Sequence, residues 1–425
     1  MSTQNPVLKL FRAAGAYTVA NAFNALVPFL LLPLITAAVT ADDYGVYGVY
    51  ISAVNMLVPF AALTIERSTS RAFVDPKIDI ARYVTSAIVL ISMTTTIVLL
   101  LVLLTRRPVG EFIGFPAMWL PVAVLGGFFR THLTVLLAML QMKNWPLAFG
   151  AMRISESGIT GGLTLALVMV WGLGWRGLLL GHVVSLALFY PIALTFLRKL
   201  KLLGWPPKRA YAHDAFRFGV PLIPHIIATV FIGMSDRVML AKMVDFADAG
   251  VYTTAFQVGL AIFLVITSVD KAFMPWLFAQ LADEANAKKR TIVVGTYLYF
   301  AFLLCLVGVS YLLGPPFVAV YLGDDFQRAG ELLPWLVLAF AFHGMQVTMV
   351  NYVYFSKRTG LLSIASVAAA ITNVSLNLIL IPRYGMYGAA WSSSAGFFLA
   401  FLISWFFGAR LVKMPWFSFW RAPKA

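Results

Sequence analysis

The stretch DYGVYGVY, residues 43–50, returns about 205 residues later as DAGVYTTA, residues 248–255. Each opens a long apolar run, and each follows a short turn. An acid, a glycine and a Val–Tyr pair recur in step. A second pair of turns behaves alike: GWRGLLLG at 174–181 and GMYGAAWS at 385–392. Glycine there allows a tight helix–turn–helix and close approach of backbones. Further on, Glu66-Arg67 corresponds to Asp270-Lys271. The chain therefore reads as two related halves.

What the halves are made of follows from composition. The 425 residues are 61% hydrophobic and only 12% charged. Soluble domains carry about 25% charged residues. Apolar runs of about 20 residues suit helices crossing ~30 Å of hydrocarbon. The runs are continuous rather than alternating, which excludes a transmembrane barrel. Twelve spans are expected, near 14–37, 45–65, 84–104, 118–140, 154–172, 177–197, 218–240, 251–270, 292–313, 331–353, 361–381 and 386–408. The expected fold is an all-α polytopic membrane protein, its twelve transmembrane helices forming two pseudo-symmetric six-helix bundles. The first bundle takes residues 1–204 and the second 205–425. The longest loop, about 198–217, lies between them. MSTQNPVLKLFR leads into an apolar run too long for a signal peptide, so that run is expected to be the first, uncleaved span.

The net charge of +15 has a membrane explanation. The N-terminus and the loops after even spans hold 24 Lys and Arg residues, against 6 in the loops after odd spans. The positive-inside rule then places both termini in the cytoplasm. Nucleic acid is not an expected partner. A single cysteine, Cys305, rules out an intrachain disulfide and a cysteine metal site. There is no nucleophile–base constellation, P-loop or metal-ligand cluster, so neither an enzyme nor a cofactor is expected. Two related six-helix halves are a transporter signature, with substrate expected between them.

Three stretches resemble the polysaccharide flippases, the Wzx-type O-antigen and exopolysaccharide transporters of the multidrug/oligosaccharidyl-lipid/polysaccharide exporter superfamily. They are NALVPFLLLPLITAAVTADDYGVYGVY (24–50), SDRVMLAKMVDFADAGVYTTAFQV (235–258) and NVSLNLILIPRYGMYGAAWSSSAG (373–396). The last is the most specific. The resemblance implies a central cavity between the bundles. It also implies flipping of undecaprenyl-pyrophosphate-linked oligosaccharide from the cytoplasmic to the periplasmic leaflet of the inner membrane. Membrane lipids, a polysaccharide polymerase and glycosyltransferases are the partners that go with that role. A cation-coupled small-molecule antiporter on the same fold is the alternative. The related lipid II flippases usually have fourteen spans, against the twelve counted here.

A pyrophosphate and sugars cross hydrocarbon only along a polar, preferably cationic path. Arg130 lies about 12 residues into span four, or ~18 Å at 1.5 Å per residue. A mid-membrane Arg costs at least ~2.5–3.5 kcal/mol on insertion scales, so it should face protein or a wet cavity. It either contacts the pyrophosphate or an acidic sugar, or forms a structural pair. Arg67 and Arg71 share a helix face if span two continues that far. Both are substrate-binding candidates or ordinary cytoplasmic anchors. His225, beside Pro221 and Pro224, and mid-span His343 are candidates for a coupling proton or packed core residues. His132 points away from Arg130 and is expected in the core. Asp236 and Arg237 break span seven about 27 Å from its start, near the periplasmic surface. They form either an outer gate or an interfacial pair, and need not bond each other.

Overall fold

The computed structural model describes residues 26–282, 289–356, 358 and 360–417, which are predominantly helical with no strand among them. The helices are α1 (Leu26–Thr36), α2 (Ala41–Ala62), α3 (Ile65–Phe73), α4 (Ile80–Ile113), α5 (Leu120–Met142), α6 (Pro146–Leu165), α7 (Gly174–Lys199), α8 (Arg209–Gly219), α9 (Ile223–Met243), α10 (Phe246–Ala282), α11 (Lys289–Tyr321), α12 (Ala329–Phe355) and α13 (Gly360–Leu411). Among the described residues, eight helical stretches are long and apolar enough to span a membrane. The last of them is two helices in one. Gly385, at φ 53° and ψ −133°, breaks α13 between the spans expected at 361–381 and 386–408.

Local chemistry starts and stops these helices. Thr40 caps α2, its hydroxyl accepting from Asp43 N at 3.2 Å, with Asp42 and Asp43 in the first turn where the helix dipole favours acids. Asp79 caps α4 by accepting from Arg82 N, and Gly114 ends it at φ 70°. Leu63 and Thr64, both at positive φ, separate α2 from α3.

The chain divides into two compact units, Met1–Val230 and Phe231–Ala425. In the first, α4–α7 meet around Ile91, Leu136, Met139, Phe189 and Leu197. In the second, α10–α13 meet around Ile266, Leu303, Phe340, Met349 and Phe401. The most apolar helices, α4 and α11, bury little of themselves, whereas the less apolar α2, α5 and α12 are mostly covered. That inversion suits lipid as the outer solvent. Leu104 (81% exposed) and Val320 (91%) face outward with nothing of their own unit over them.

The loop expected at 198–217 is largely ordered onto the first unit. Gly204 N donates to Ala81 O at 3.1 Å, and Lys208 N donates to Ser86 Oγ at 2.8 Å. Helix α8 then lies against α3 and α4.

The repeat has a shared physical device. In the first unit, Asp43 at the head of α2 accepts from Trp175 N at 3.0 Å, beside Gly174 at φ 53°. In the second, Asp248 at the head of α10 accepts from Met386 N at 3.4 Å, beside Gly385, also at φ 53°. Arg328 completes this second clasp with a 2.9 Å bond to Asp248. A Cβ on Gly174 or Gly385 would sit 2.9 Å or 2.6 Å from the clasping carboxylate. Gly385→Ala should therefore lower stability by about 2 kcal/mol or more, through backbone strain and a displaced Asp248. Thermal unfolding in detergent measures this, and an unchanged melting temperature would show that the clasp holds nothing.

Candidate functional site

The first unit gathers its charges on α3, α5 and α6. Arg130, on α5, is accessible despite its mid-helix place. Its Nη1 donates to Asn55 Oδ1 of α2 at 3.1 Å. Asn55 is itself oriented by a 2.8 Å bond from Nδ2 to Ile51 O, which turns its oxygen to the arginine. Arg153 and Glu156 of α6, with Tyr47 and Tyr50 of α2, act on Arg130 electrostatically. Among the described residues, no carboxylate lies within 4.0 Å of the Arg130 guanidinium. The Tyr50 hydroxyl is 3.0 Å from His182 Nδ1, and Thr160 donates to Ser185 at 2.7 Å.

A cavity of about 520 Å³ opens beside this cluster, lined by Glu66, Arg67, Thr134, Gln141 and Arg153 among others. Burial pushes the Glu66 carboxyl up from its ordinary value, and its backbone bond and Arg67 pull it back. Arg67 stands 4.0 Å from Glu66. Arg71 shares α3 with Arg67 but does not line this cavity. Its guanidinium bonds Asp214 of α8 and lies 4.8 Å from the centre of the Phe218 ring. Tyr83 adds a 2.8 Å bond to the same Asp214. Arg71 thus pairs its charge with α8, apart from the cavity that Arg67 lines. His132 is fully buried, its Nδ1 2.9 Å from Phe128 O, and packs on Phe128 and Tyr190.

The second unit holds an acid instead. Asp236 is 1% exposed. Its Oδ2 accepts from Tyr252 (2.5 Å) and Ser393 (2.6 Å), and its Oδ1 accepts from Asn377 (2.6 Å) and Asn373 (3.3 Å). Ser235 donates to Asn373 Oδ1 at 3.2 Å. Asn377 Oδ1 is buried without a hydrogen-bond partner. Burying a carboxylate costs several kcal/mol unless donors replace its water, and four donors do so here. The Asp236 side chain is thus enclosed by protein. Helix α9 starts at Ile223, not 218, and Asp236 lies about 20 Å along it, with α10 and α13 supplying its partners. Arg237 is 5% exposed. It donates to Gly233 O at 2.7 Å and lies 4.4 Å from the Phe256 ring centre. His343 is half-buried, 3.3 Å from Gln346 Oε1 and stacked on Phe263. The His225 side chain falls outside the described residues.

The repeat makes the difference between the units legible. Asp236 corresponds to Leu31, Asn373 to Gly162, Asn377 to Ala166 and Ser393 to His182. The first unit therefore has no counterpart of the acid or its two amides. Arg130 and His343 each stand nine residues after a proline, Pro121 and Pro334. One unit presents a cation where the other presents an imidazole. Sequence reasoning missed Arg153, which sits in the second turn of α6 rather than in the loop before it. Pro146, at the first helical position, was the signal for that earlier start.

Comparison with known proteins adds the following. The sequence profile of a family described as Polysaccharide biosynthesis protein matches residues 10–282. A Haemophilus influenzae protein named Lsg locus putative protein 1 is 24% identical over 406 residues, covering 90% of this chain and 96% of that protein. The probable low-salt glycan biosynthesis flippase Agl15 of Haloferax volcanii is 21% identical over 405 residues, covering 92% of this chain and 81% of that protein. Among solved structures, the lipid II flippase MurJ in an inward closed conformation superposes with a TM-score of 0.73 at 14% identity, covering 92% of this chain and 86% of that one. That last likeness concerns the fold.

Proposed function

Since this chain belongs to the polysaccharide biosynthesis protein family, we propose that it flips undecaprenyl-pyrophosphate-linked oligosaccharide from the cytoplasmic to the periplasmic leaflet of the inner membrane. It works by alternating access of its two bundles and feeds the assembly of O-antigen or exopolysaccharide. The observation that carries this reading is Arg130. An accessible guanidinium deep in an apolar helix, bonded to a neutral amide and to no carboxylate among the described residues, is set for an incoming anion. Arg67, in the cavity beside it, meets the pyrophosphate first. The polyprenyl tail stays in lipid throughout. A small-molecule antiporter for cations is disfavoured, because the accessible mid-helix charge on α5 is basic.

The Asp236 cage is the coupling site in this reading. A proton or a monovalent cation entering it finds the Asp236 oxygens and the unpartnered Asn377 Oδ1. Donors from α10 and α13 must then turn away, so occupancy changes how three helices hold one another. His343 and Arg237 lie in the same unit and fit packing roles.

Deleting the gene is expected to stop surface polymer and to leave lipid-linked oligosaccharide on the cytoplasmic leaflet. Normal polymer in a clean deletion that carries no second flippase refutes the assignment.

A further inference from the structure

We propose that Arg153 is a hand-over cation, receiving the anionic headgroup from Arg67 in the cavity and passing it to Arg130. The inference rests on the flippase reading above. Arg153 belongs to two neighbourhoods at once. It lines the cavity with Arg67 and Thr134, and it acts electrostatically on both Arg130 and Glu156.

The cavity wall leads from one neighbourhood to the other. On α5, Thr134 faces the cavity and Arg130 lies one turn deeper; Thr134 Oγ1 donates to the Arg130 carbonyl at 2.9 Å. On α6, Arg153 faces the cavity and Glu156 follows three residues on, along the same face. Two helices packed together thus each carry a cavity residue and then a charged group one turn deeper. Arg153 Nε is buried with no hydrogen-bond partner. An unsatisfied buried donor destabilises the empty site, and an oxygen-rich ligand relieves it.

The chemistry suits movement rather than storage. A guanidinium fork holds phosphate oxygens two at a time, and a diphosphate offers oxygens to two forks together. One contact can form before the previous one breaks. Glu156 competes with the ligand for both arginines, which keeps either from becoming a trap. Passage along several sites of moderate strength is the general condition for conduction.

The test uses the purified full-length protein in proteoliposomes with a fluorescent polyprenyl-diphosphate monosaccharide, its leaflet read by external quenching. If the wild-type protein moves no probe, the flippase reading itself fails. With an active wild type, Arg153→Gln should lower maximal turnover at least tenfold and raise the half-saturating probe concentration less than threefold. Arg67→Gln should show the reverse split. Arg153→Lys keeps a charge without a fork, and should lose three- to tenfold in turnover at unchanged half-saturation. Wild-type turnover in both Arg153 variants overturns the hand-over role, as does a rise in half-saturation above tenfold at unchanged turnover. Either result leaves the flippase reading standing. Should Arg153→Gln not fold, Arg153→Lys decides by the same split.

Discussion

Arg130→Ala should reduce transport of lipid-linked oligosaccharide at least a hundredfold while the protein still inserts and folds. A hydrogen bond from a charged donor contributes about 1.5–3 kcal/mol. A guanidinium can make two to a phosphate, so its loss at the deepest point of the path removes about 3 kcal/mol or more, or over two decades in rate. Folding should tolerate the change, because the side chain is accessible and its one described hydrogen bond goes to Asn55. Removing a mid-span cation even lowers the insertion cost. Arg130→Lys should keep part of the activity, since lysine supplies the charge but not the fork. Proteoliposome flipping and surface polymer in a complemented deletion strain measure the effect. A fully active Arg130→Ala protein would reassign the residue to packing against α2.

Asp236→Asn should uncouple transport from the ion gradient, lowering gradient-driven flipping tenfold or more. The substitution is nearly isosteric, so the core around it keeps its shape. Its amide nitrogen, however, would face donors from Asn373 and Asn377 or from Ser393 and Tyr252. Each buried donor left without an acceptor costs about 1–3 kcal/mol, so a drop in melting temperature is also expected. The two effects separate by assay. If the cage is only structural, activity per folded molecule stays responsive to an imposed proton or sodium gradient. If Asp236 is the coupling group, residual flipping becomes indifferent to that gradient.

The apolar, all-helical character and the duplicated turns were legible because they rest on local rules: apolar runs of membrane length, eight of which stand among the described residues, and glycines at positive φ. Gly385 ended one span and began another where its neighbours in sequence said it would. Asp236 could be singled out as an acid in an apolar run, but not its surroundings. Asn373, Asn377 and Ser393 lie 137, 141 and 157 residues away, and no local pattern brings them to it. Its enclosure within the second unit followed from those distant partners and not from its place along span seven. Arg71 looked like Arg67 four residues before it, yet Asp214, 143 residues on, takes it toward α8. Arg153 was hidden by a helix start placed eight residues late.

The two glycine clasps also bear on how the chain is made. The first needs Asp43 and Trp175, the second Asp248 and Met386. Their last components leave the ribosome about 210 residues apart. At about 5–20 residues per second, the interval is roughly 10–40 s. All atoms of the first clasp are therefore at hand while the second half is still being synthesised. A truncation after α8 keeps the whole of the earlier clasp, whereas one before residue 385 leaves Asp248 with no turn to close on. Nascent chains stalled at these two lengths should differ in protease resistance for that reason.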